Sequence, residues 1–562
     1  MWHRWSVVIP LALALLLFLG LAGYQLDLPG LHYDEAKEAG LNAMQLLTGQ
    51  PVTAFRDATF ALGSWRIPLM VQDYIGNLNV LLVTPFLAIG GINTVALRVL
   101  PVLLAALTVV FVWRIAYRLS GGLAAAAAAL LLAVNPSFVF WSRQGIFVTN
   151  ITALLLVAAL WFVIQWLAQR RPRDLALAAF CAGLGVYAKL LFVWAVIALA
   201  IVAAAVLLVE RRRGLRRGIG RPLDLVLAAA AFVVPLVPLI VFNLRTSGTL
   251  TAIFGNLGRS YYGVDNSAYG ANLALRAGQV MDLLRGDHFW YLGEPYANAL
   301  APWALLVLLV AACVAMLDAS RAASAPAGRP QERTFGSAAP MLPLALLALI
   351  VLQSAFTVSD LFITHFALAT PLLPLFGGLA LAGAWHWARR RAQPRALREH
   401  GLAWAGAGVA LLAALAWFGG DAATVVRYHR ILTVSGGYAG HSDAIYRLAG
   451  YLDREQYTSP VVLDWGIDAP VRFLTQGRVV PVDVFGYDRL DAPDGGFETR
   501  VAPYLEDWQT IYVAHAPEKA VFQGRVEAMA GWAAARGWRW LEQIRIAQRS
   551  GEAVFIVHRF LE

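Results

Sequence analysis

Charged residues and cysteines are both scarce in this sequence. Only 14% of the 562 residues are charged, against about a quarter in soluble proteins, whereas 59% are hydrophobic. The two cysteines, Cys181 and Cys313, both lie within apolar runs, so no disulfide framework is indicated. These shortages exclude an ordinary soluble domain and a small disulfide-stabilised one.

Sequence motifs for nucleotide phosphates and for metal ions are missing too. The polar C-terminal region contains no glycine-rich phosphate loop and no metal-ligand spacing, and its DWG triplet (464–466) is too short to indicate catalysis. The sequence therefore predicts no cofactor and no metal-binding residues. A divalent ion held by an Asp-Glu pair in a loop stays open as an alternative.

The basic charge is unevenly distributed. The net charge of +10 comes almost entirely from arginine, which in a soluble protein would suggest nucleic-acid binding. Here the arginines cluster between hydrophobic runs, where they determine membrane topology instead. We therefore expect membrane lipids, and no nucleic acid, among the partners.

Apolar runs of about 20 residues recur along the first 420 positions, which is typical of a polytopic α-helical membrane protein. The N-terminal run is longer than the apolar region of a signal peptide and is better interpreted as a retained helix. Residues 78–91 form a shorter apolar run, which we expect to lie along the outer face. About eleven spanning helices are predicted, near 5–25, 96–117, 122–141, 150–168, 174–189, 190–209, 223–243, 300–317, 339–357, 365–386 and 401–419.

The arginine-rich loops all fall on one side of the membrane in this arrangement. By the positive-inside rule that side is cytoplasmic, which leaves the N-terminus inside and the C-terminal region outside. The richness in arginine and alanine favours the plasma (inner) membrane of a bacterium. The basic loops are 114–122, 169–174, 210–221, 321–333 and 388–399.

The opposite face collects the polar residues of interest. It comprises a long first loop, 26–95, and a large loop rich in Tyr, Gly and Asn, 244–299. Three short stretches accompany them: 141–145, the turn at Lys189, and 358–366. This arrangement indicates a site at the outer membrane surface rather than a pathway through the bilayer.

The composition changes at Asp421. Residues 421–562 alternate between helix-like and strand-like segments, such as 441–454 and 460–466, and end in a strand pair. The sequence thus predicts two domains, a transmembrane domain over 1–420 and an extracytoplasmic α/β accessory domain over 421–562.

Five segments on the predicted outer face occur in a characteristic order. They are HYDEAKEAG (32–40), YIGNLNVLLVTPFLAIGGINTVALRVLP (74–101), NPSFVFWSRQG (135–145), GLGVYAKLLFVW (183–194) and HFALATPLLPL (365–375). Together they resemble the GT-C glycosyltransferases of the protein O-mannosyltransferase and aminoarabinose transferase type, the dolichyl-phosphate-mannose–protein mannosyltransferase-like proteins. The resemblance implies a GT-C fold and an inverting hexosyl- or pentosyltransferase that uses a polyprenyl-phosphate sugar in cell-envelope glycosylation.

The sequence departs from that family at three places. Members often carry a second acidic residue shortly after the Ser-Arg of the second outer loop, where this chain has Val148, Thr149 and Asn150. A Lys-Pro-Pro stretch typical of the aminoarabinose branch is absent before the apolar run 78–91. The Arg-Tyr that often opens the late helix is His365-Phe366 here.

A lipid-phosphate sugar carries a good leaving group, so its transfer needs one carboxylate rather than the two of a glycoside hydrolase. That carboxylate deprotonates the acceptor hydroxyl, and cations stabilise the departing phosphate. We predict Asp34 as the catalytic base, supported by Glu35, which lies about 100° around the same helix. The predicted substrate-binding residues are Arg143, Lys189, His365, Asp73 and Tyr74.

These residues also have purely structural interpretations. Asp34 could cap the following helix, with Glu35 in its first turn. Arg143 could be an interfacial anchor, Lys189 could extend towards the headgroups, and His365 could be a hydrogen-bonded helix end.

Two other functions stay open, a transporter or flippase of lipid-linked glycans and a non-catalytic membrane scaffold. Transporters tend to show inverted repeats and ionisable residues near the bilayer midplane, whereas here no repeat is visible and the charges lie at helix ends. We therefore predict a glycosyltransferase whose partners are a polyprenyl-phosphate sugar donor and an acceptor protein, lipid or glycan.

Overall fold

The computed structural model describes seven stretches of the chain: 2–144, 149–212, 221–257, 267–322, 336–356, 361–391 and 397–561. Most of the predicted basic loops 210–221 and 321–333 lies outside these stretches, as does Val148.

The N-terminal part consists of one long helix and a folded first loop. Helix α1 (Trp2–Gly23) is followed by α2 (Tyr33–Glu35), a π-helical turn (Ala36–Gly40) and α3 (Leu41–Thr48), which adjoin one another. Two short antiparallel hairpins then lead into the apolar helix α4. They are β1 (Thr59–Leu62) with β2 (Trp65–Pro68) and β3 (Met70–Gln72) with β4 (Ile75–Gly76), and α4 is Leu78–Gly90.

Long apolar helices form the rest of the transmembrane domain. They are α5 (Thr94–Ser120), α6 (Gly122–Val134), α7 (Pro136–Gln144), α8 (Thr149–Gln169), α9 (Pro172–Ala188), α10 (Val193–Arg212), α11 (Pro222–Val233), α12 (Val237–Thr246), α13 (Gly248–Leu257), α14 (Tyr269–Arg285), α15 (Ala301–Ala322), α16 (Met341–Ser354), α17 (Leu372–Arg391) and α18 (Leu397–Ser435).

Each segment that the sequence predicts to span the membrane is mostly helical in its described residues. Six helices are long and apolar enough to cross a bilayer, and two bent helix pairs raise the candidate spans in the described chain to as many as eight. Three shorter apolar helices, among them α4, accompany these spans. The predicted multi-pass helical fold is confirmed, although several of the eleven segments form helices shorter than a full span.

The bend of 60° between α6 and α7 follows from the dipeptide Asn135-Pro136. Proline has no N–H to continue the α6 ladder, and the Asn135 side chain accepts a hydrogen bond from the Phe138 N–H at 3.0 Å, as a helix cap does. Every residue of α7 is buried. The bend therefore directs Arg143 into the protein rather than towards lipid.

Small residues set the spacing of the helices around α17, which packs against α5, α6, α15 and α18. A Cβ atom added at Gly378 would lie 2.5 Å from the Ala124 carbonyl oxygen of α6. Glycine is thus required for this backbone approach, as is common between membrane helices.

The C-terminal part is a mixed five-stranded sheet with helices, in the strand order β6-β5-β7-β9-β8. Strand β5 pairs in parallel with β6 and β7, whereas β9 pairs antiparallel with β7 and β8. Its elements are α19 (Ala444–Arg454), β5 (Val461–Val462), α20 (Asp468–Leu474), β6 (Val482–Asp483), α21 (Phe497–Val501), β7 (Tyr512–His515), α22 (Arg525–Ala535), β8 (Arg539–Ala547) and β9 (Ala553–Leu561). The composition change at Asp421 falls inside α18, so the separate fold begins only after Ser435.

This C-terminal fold packs directly on the first loop. The imidazole rings of His32 and His441 stack with centroids 3.9 Å apart, and Trp465 lies 4.8 Å from the Tyr33 ring. Further along, the Phe473 ring covers Gly40 so closely that a Cβ there would be 2.9 Å from it. The acidic segment after α1 is therefore enclosed between the helix bundle and the sheet domain.

Candidate active site

The acidic segment begins at a histidine cap. His32 precedes α2, and its Nδ1 accepts a hydrogen bond from the Asp34 N–H at 3.2 Å. Because His32 occupies the cap, the alternative that Asp34 itself caps this helix is wrong. Asp34 and Glu35 both lie in the first turn, where negative charge is favourable.

Asp34 is buried, with 7% of its surface exposed. Burial raises the pKa of its carboxyl group to about 7, while the nearby charges of Lys37 and Lys189 act in the opposite direction. A carboxylate with this pKa is able to accept a proton near neutral pH. The interaction with Lys189 links positions that are far apart in the sequence.

Lys189 is buried as well, with 4% of its surface exposed, at the end of α9. Its backbone forms a bridge with Ile75, and the next N–H, of Leu190, donates to the Tyr74 carbonyl at 2.9 Å. Burial lowers the pKa of the Lys189 ammonium group to about 8, opposed by the charges of Glu38 and Asp34. The structure thus brings Asp34, Lys189 and the Tyr74 backbone into one region.

Two further residues of the acidic segment belong to this cluster, although sequence reasoning missed them. Glu38 is fully buried and accepts a hydrogen bond from Gln72 Nε2 at 3.1 Å. Lys37 donates from Nζ to the Tyr33 hydroxyl at 2.6 Å. The scarcity of lysine was an available signal, because the sequence contains only three lysines and two of them lie beside Asp34.

Glu35 makes a buried ion pair with Arg98 of α5. The guanidinium Nε and Nη2 donate to the two carboxylate oxygens at 2.7 and 2.8 Å. Arg98 also donates to the backbone carbonyls of Leu26, Pro29 and Gly30. This pair fixes the start of the first loop against α5, and an arginine near the start of an apolar helix was the signal for it.

Arg143 has other partners than the sequence predicted. Its guanidinium donates to the carbonyls of Tyr24, at 2.6 Å, and Gln25, and it lies 3.2 Å from His429 Nδ1. It is fully buried, so the alternative of an interfacial anchor does not describe it either. Arg143 holds the end of α1 and does not contact Asp34 directly in the described structure.

The remaining predicted residues lie at the edge of the cluster. Asp73 is half-buried, and its carboxylate pairs with Arg56 at 3.8 Å. His365 is buried, and its Nδ1 lies 3.1 Å from the Phe362 carbonyl, as expected for a hydrogen-bonded helix end. The charges of Lys189 and of Arg276, a buried residue of α14 that the sequence did not reveal, both act on His365.

The described residues contain no group of three or more His, Cys, Asp or Glu side chains placed to hold a metal ion. The cluster offers a buried carboxylate of raised pKa, that of Asp34, on which the charges of Lys37 and Lys189 act, and the carboxylate of Glu38 also acts on Lys189. Such an arrangement suits proton abstraction next to an anionic group.

Part of this region matches a known family. Residues 79–241, which include Arg98, Arg143 and Lys189, match the family model described as dolichyl-phosphate-mannose-protein mannosyltransferase. A search among curated proteins found no match.

Solved structures resemble the whole chain. ArnT from Cupriavidus metallidurans bound to undecaprenyl phosphate has a TM-score of 0.58 at 14% identity, covering 98% of this chain and 97% of that one. The apo form of the same protein gives 0.58 at 12% identity, with coverages of 99% and 98%. The oligosaccharyltransferase AglB from Archaeoglobus fulgidus gives 0.48 at 13% identity, with coverages of 92% and 70%. The whole chain therefore shares the fold of ArnT, and residues 79–241 match the mannosyltransferase family model.

Proposed function

We propose that the chain transfers a sugar from a polyprenyl-phosphate-linked donor to an acceptor hydroxyl, with inversion, at the outer face of a bacterial inner membrane. The observation that carries the proposal is the buried Asp34–Lys189 pair, which joins a base and a cation contributed by distant parts of the chain.

Asp34 acts as the general base in this proposal. Deprotonating the acceptor hydroxyl as it attacks the anomeric carbon requires a carboxylate whose pKa lies near the working pH. Burial of Asp34 supplies that pKa, while the two lysines keep a fraction of the carboxylate ionised. In-line attack from the side opposite the phosphate inverts the anomeric centre.

Lys189 binds the phosphate that leaves with the polyprenyl chain. A buried ammonium group stabilises developing negative charge strongly because little water screens it. Glu38 and Asp34 keep Lys189 in its charged form before the donor arrives. The nearby buried Arg276 extends this electropositive region towards α14.

Glu35, Arg98 and Arg143 are positioning residues. The Glu35–Arg98 pair and the Arg143 bonds to Tyr24 and Gln25 hold both ends of the segment between α1 and α2. Fixing this segment fixes the base, and misplacing a catalytic group by about 1 Å can cost ~100-fold in rate. Asp73 and Tyr74 lie at the edge of the site in this proposal. Asp73 pairs with Arg56, and the Tyr74 carbonyl accepts a hydrogen bond from the Leu190 N–H, next to Lys189.

The donor class follows from the relatives rather than from the cluster alone. ArnT was solved with undecaprenyl phosphate, and the matched family model describes a transferase that uses dolichyl-phosphate-mannose. The acceptor is a hydroxyl of a protein, a lipid or a glycan. In this proposal the transmembrane domain, which runs to Ser435 at the end of α18, carries the chemistry. The domain that follows it, outside the cytoplasm, covers the first loop.

The test is sugar transfer in proteoliposomes from a radiolabelled polyprenyl-phosphate sugar, with Asp34→Asn against the wild type. Loss of general-base catalysis should lower the rate by about 100- to 10,000-fold. Asp57→Asn, in the same loop but at an exposed position, is the matched control and should keep the wild-type rate. A folded Asp34→Asn enzyme with unchanged transfer would refute the assigned role.

A further inference from the structure

We infer that a groove between the ends of α1 and α18 binds the headgroup of an anionic phospholipid. The groove has a volume of about 360 Å³ and is lined by Leu21, Tyr24, Val426, His429, Arg430 and Thr433, among others. One of its lining residues, His429, contacts Arg143, whereas Asp34 and Lys189 do not line it, and it takes no part in the proposed transfer reaction.

The groove contains a buried hydrogen-bond donor. His429 is 7% exposed, and its Nδ1 lies 3.2 Å from Arg143 Nη1. Arginine can only donate, so Nδ1 is the acceptor and the proton of the neutral ring resides on Nε2. That Nε2 is buried and has no hydrogen-bond partner of ordinary geometry among the described residues, although the Leu21 carbonyl interacts with the ring. A buried donor in this state favours an external acceptor oxygen.

A formal positive charge stands beside this donor. Arg430 follows His429 on α18 and is exposed, and no ion pair engages it in the described residues. An imidazole N–H and a guanidinium group on one groove match the oxygens of a phosphate group. Thr433, by contrast, already donates to Gln25 Oε1 at 2.8 Å, so it shapes the wall rather than binding the ligand.

The position of the groove identifies the ligand as a lipid. Helix α1 and the candidate span Gly401–Ser435 both end here, on the side that leads to the first loop and the sheet domain. Exposed apolar side chains flank the groove, including Val426 at 42% and Val434 at 68% exposure, and Tyr24 is 52% exposed. Acyl chains would cover these residues while the phosphate lies at headgroup depth, where tyrosine is also enriched.

Native mass spectrometry of the full chain tests this assignment, after release from nanodiscs with equal amounts of phosphatidylglycerol and phosphatidylcholine. The wild type should retain phosphatidylglycerol in preference, and this preference should weaken at high salt because it is electrostatic. Arg430→Gln should lower retention roughly fivefold, as expected for one cation at the membrane surface, and His429→Ala should lower it as well. Arg427→Gln, an exposed position one turn earlier on α18 and outside the groove, is the matched control.

Three outcomes would overturn the proposal. They are equal retention of both lipids by the wild type, unchanged retention in a folded Arg430→Gln variant, and an equal loss in the Arg427→Gln control. Displacement of phosphatidylglycerol by an equimolar amount of undecaprenyl phosphate would assign the groove to the carrier lipid instead. The salt series uses the wild type alone, so it decides the question even if a variant fails to fold.

Discussion

At the scale of single residues, the cluster depends on the two lysines whose charges act on Asp34. The sequence contains three lysines, and two of them, Lys37 and Lys189, act on this one carboxylate. The third, Lys519, pairs with Glu552 in the sheet domain at 2.5 Å. Each of the three lysines thus interacts with an acidic residue, whereas arginine supplies the charge of the basic loops.

The pH dependence of transfer should report this cluster. In kcat/KM, activity should rise as pH passes about 7, because Asp34 loses its proton there, and should fall above about 8 as Lys189 loses its own. Lys37→Met removes a positive charge that lowers the pKa of Asp34, so the acid limb should move to higher pH.

Lys519→Met is the control for this shift, since it removes a lysine far from the cluster. Its pH–rate profile should match that of the wild type. An acid limb that keeps its position in Lys37→Met would mean that Asp34 does not carry the titration.

The residue-level predictions rested on which side of the membrane each residue lies. Asp34 and Lys189 were expected on one face because the basic loops lie on the other, and the structure brings them within electrostatic reach. Arg143 shares that face, yet its Nη2 donates to two backbone carbonyls just after α1. Contacts with backbone carbonyls leave no pattern of residue types in a sequence, so these partners of Arg143 could not be predicted.

At the scale of elements, the first turn after α1 is held by one buried ion pair. Arg98 extends from α5 and contacts both oxygens of Glu35 together with three backbone carbonyls. Removing one partner of such a pair leaves an uncompensated buried charge, which costs about 3–5 kcal/mol.

Arg98→Met should therefore lower the free energy of unfolding by about 3–5 kcal/mol and should lower transfer by misplacing Asp34. Adding Glu35→Gln removes the stranded charge and should recover part of the stability. Thermal unfolding in detergent measures both variants. Arg114→Met, at an exposed position on the same helix, is the control, and equal stability of the Arg98 and Arg114 variants would contradict this role.

At the scale of the whole molecule, the sheet domain encloses the first loop. The sequence predicted a helix bundle, a short helix after the acidic pair and a separate α/β region, since apolar length and period determine these. It did not reveal which face of the sheet domain meets the loop, because the contact is made by single residues such as Phe473 and His441. Nor did it reveal that α18 continues unbroken past the change in composition.

The fit at Gly40 tests whether this enclosure matters for activity. A Leu side chain at Gly40 would clash with the Phe473 ring, so Gly40→Leu should cost about 1–3 kcal/mol, as overpacking does, and should reduce transfer. Phe473→Ala in the same chain makes room and should restore part of both.

The control is Gly278→Leu, an exposed position on α14 with open space around it. Stability and transfer should both stay near the wild-type values. Wild-type behaviour of Gly40→Leu would mean that the sheet domain does not constrain the loop.

The most direct measurement of the central claim compares donor binding with turnover in two variants of the buried pair. Asp34→Asn should bind the polyprenyl-phosphate sugar about as tightly as the wild type while losing turnover, since it lacks only the base. Lys189→Met should bind the donor at least about tenfold more weakly, the effect of ~1.4 kcal/mol, because the phosphate has lost its cation. The account is contradicted if both folded variants turn over donor at the wild-type rate, or if Lys189→Met binds the donor as tightly as the wild type.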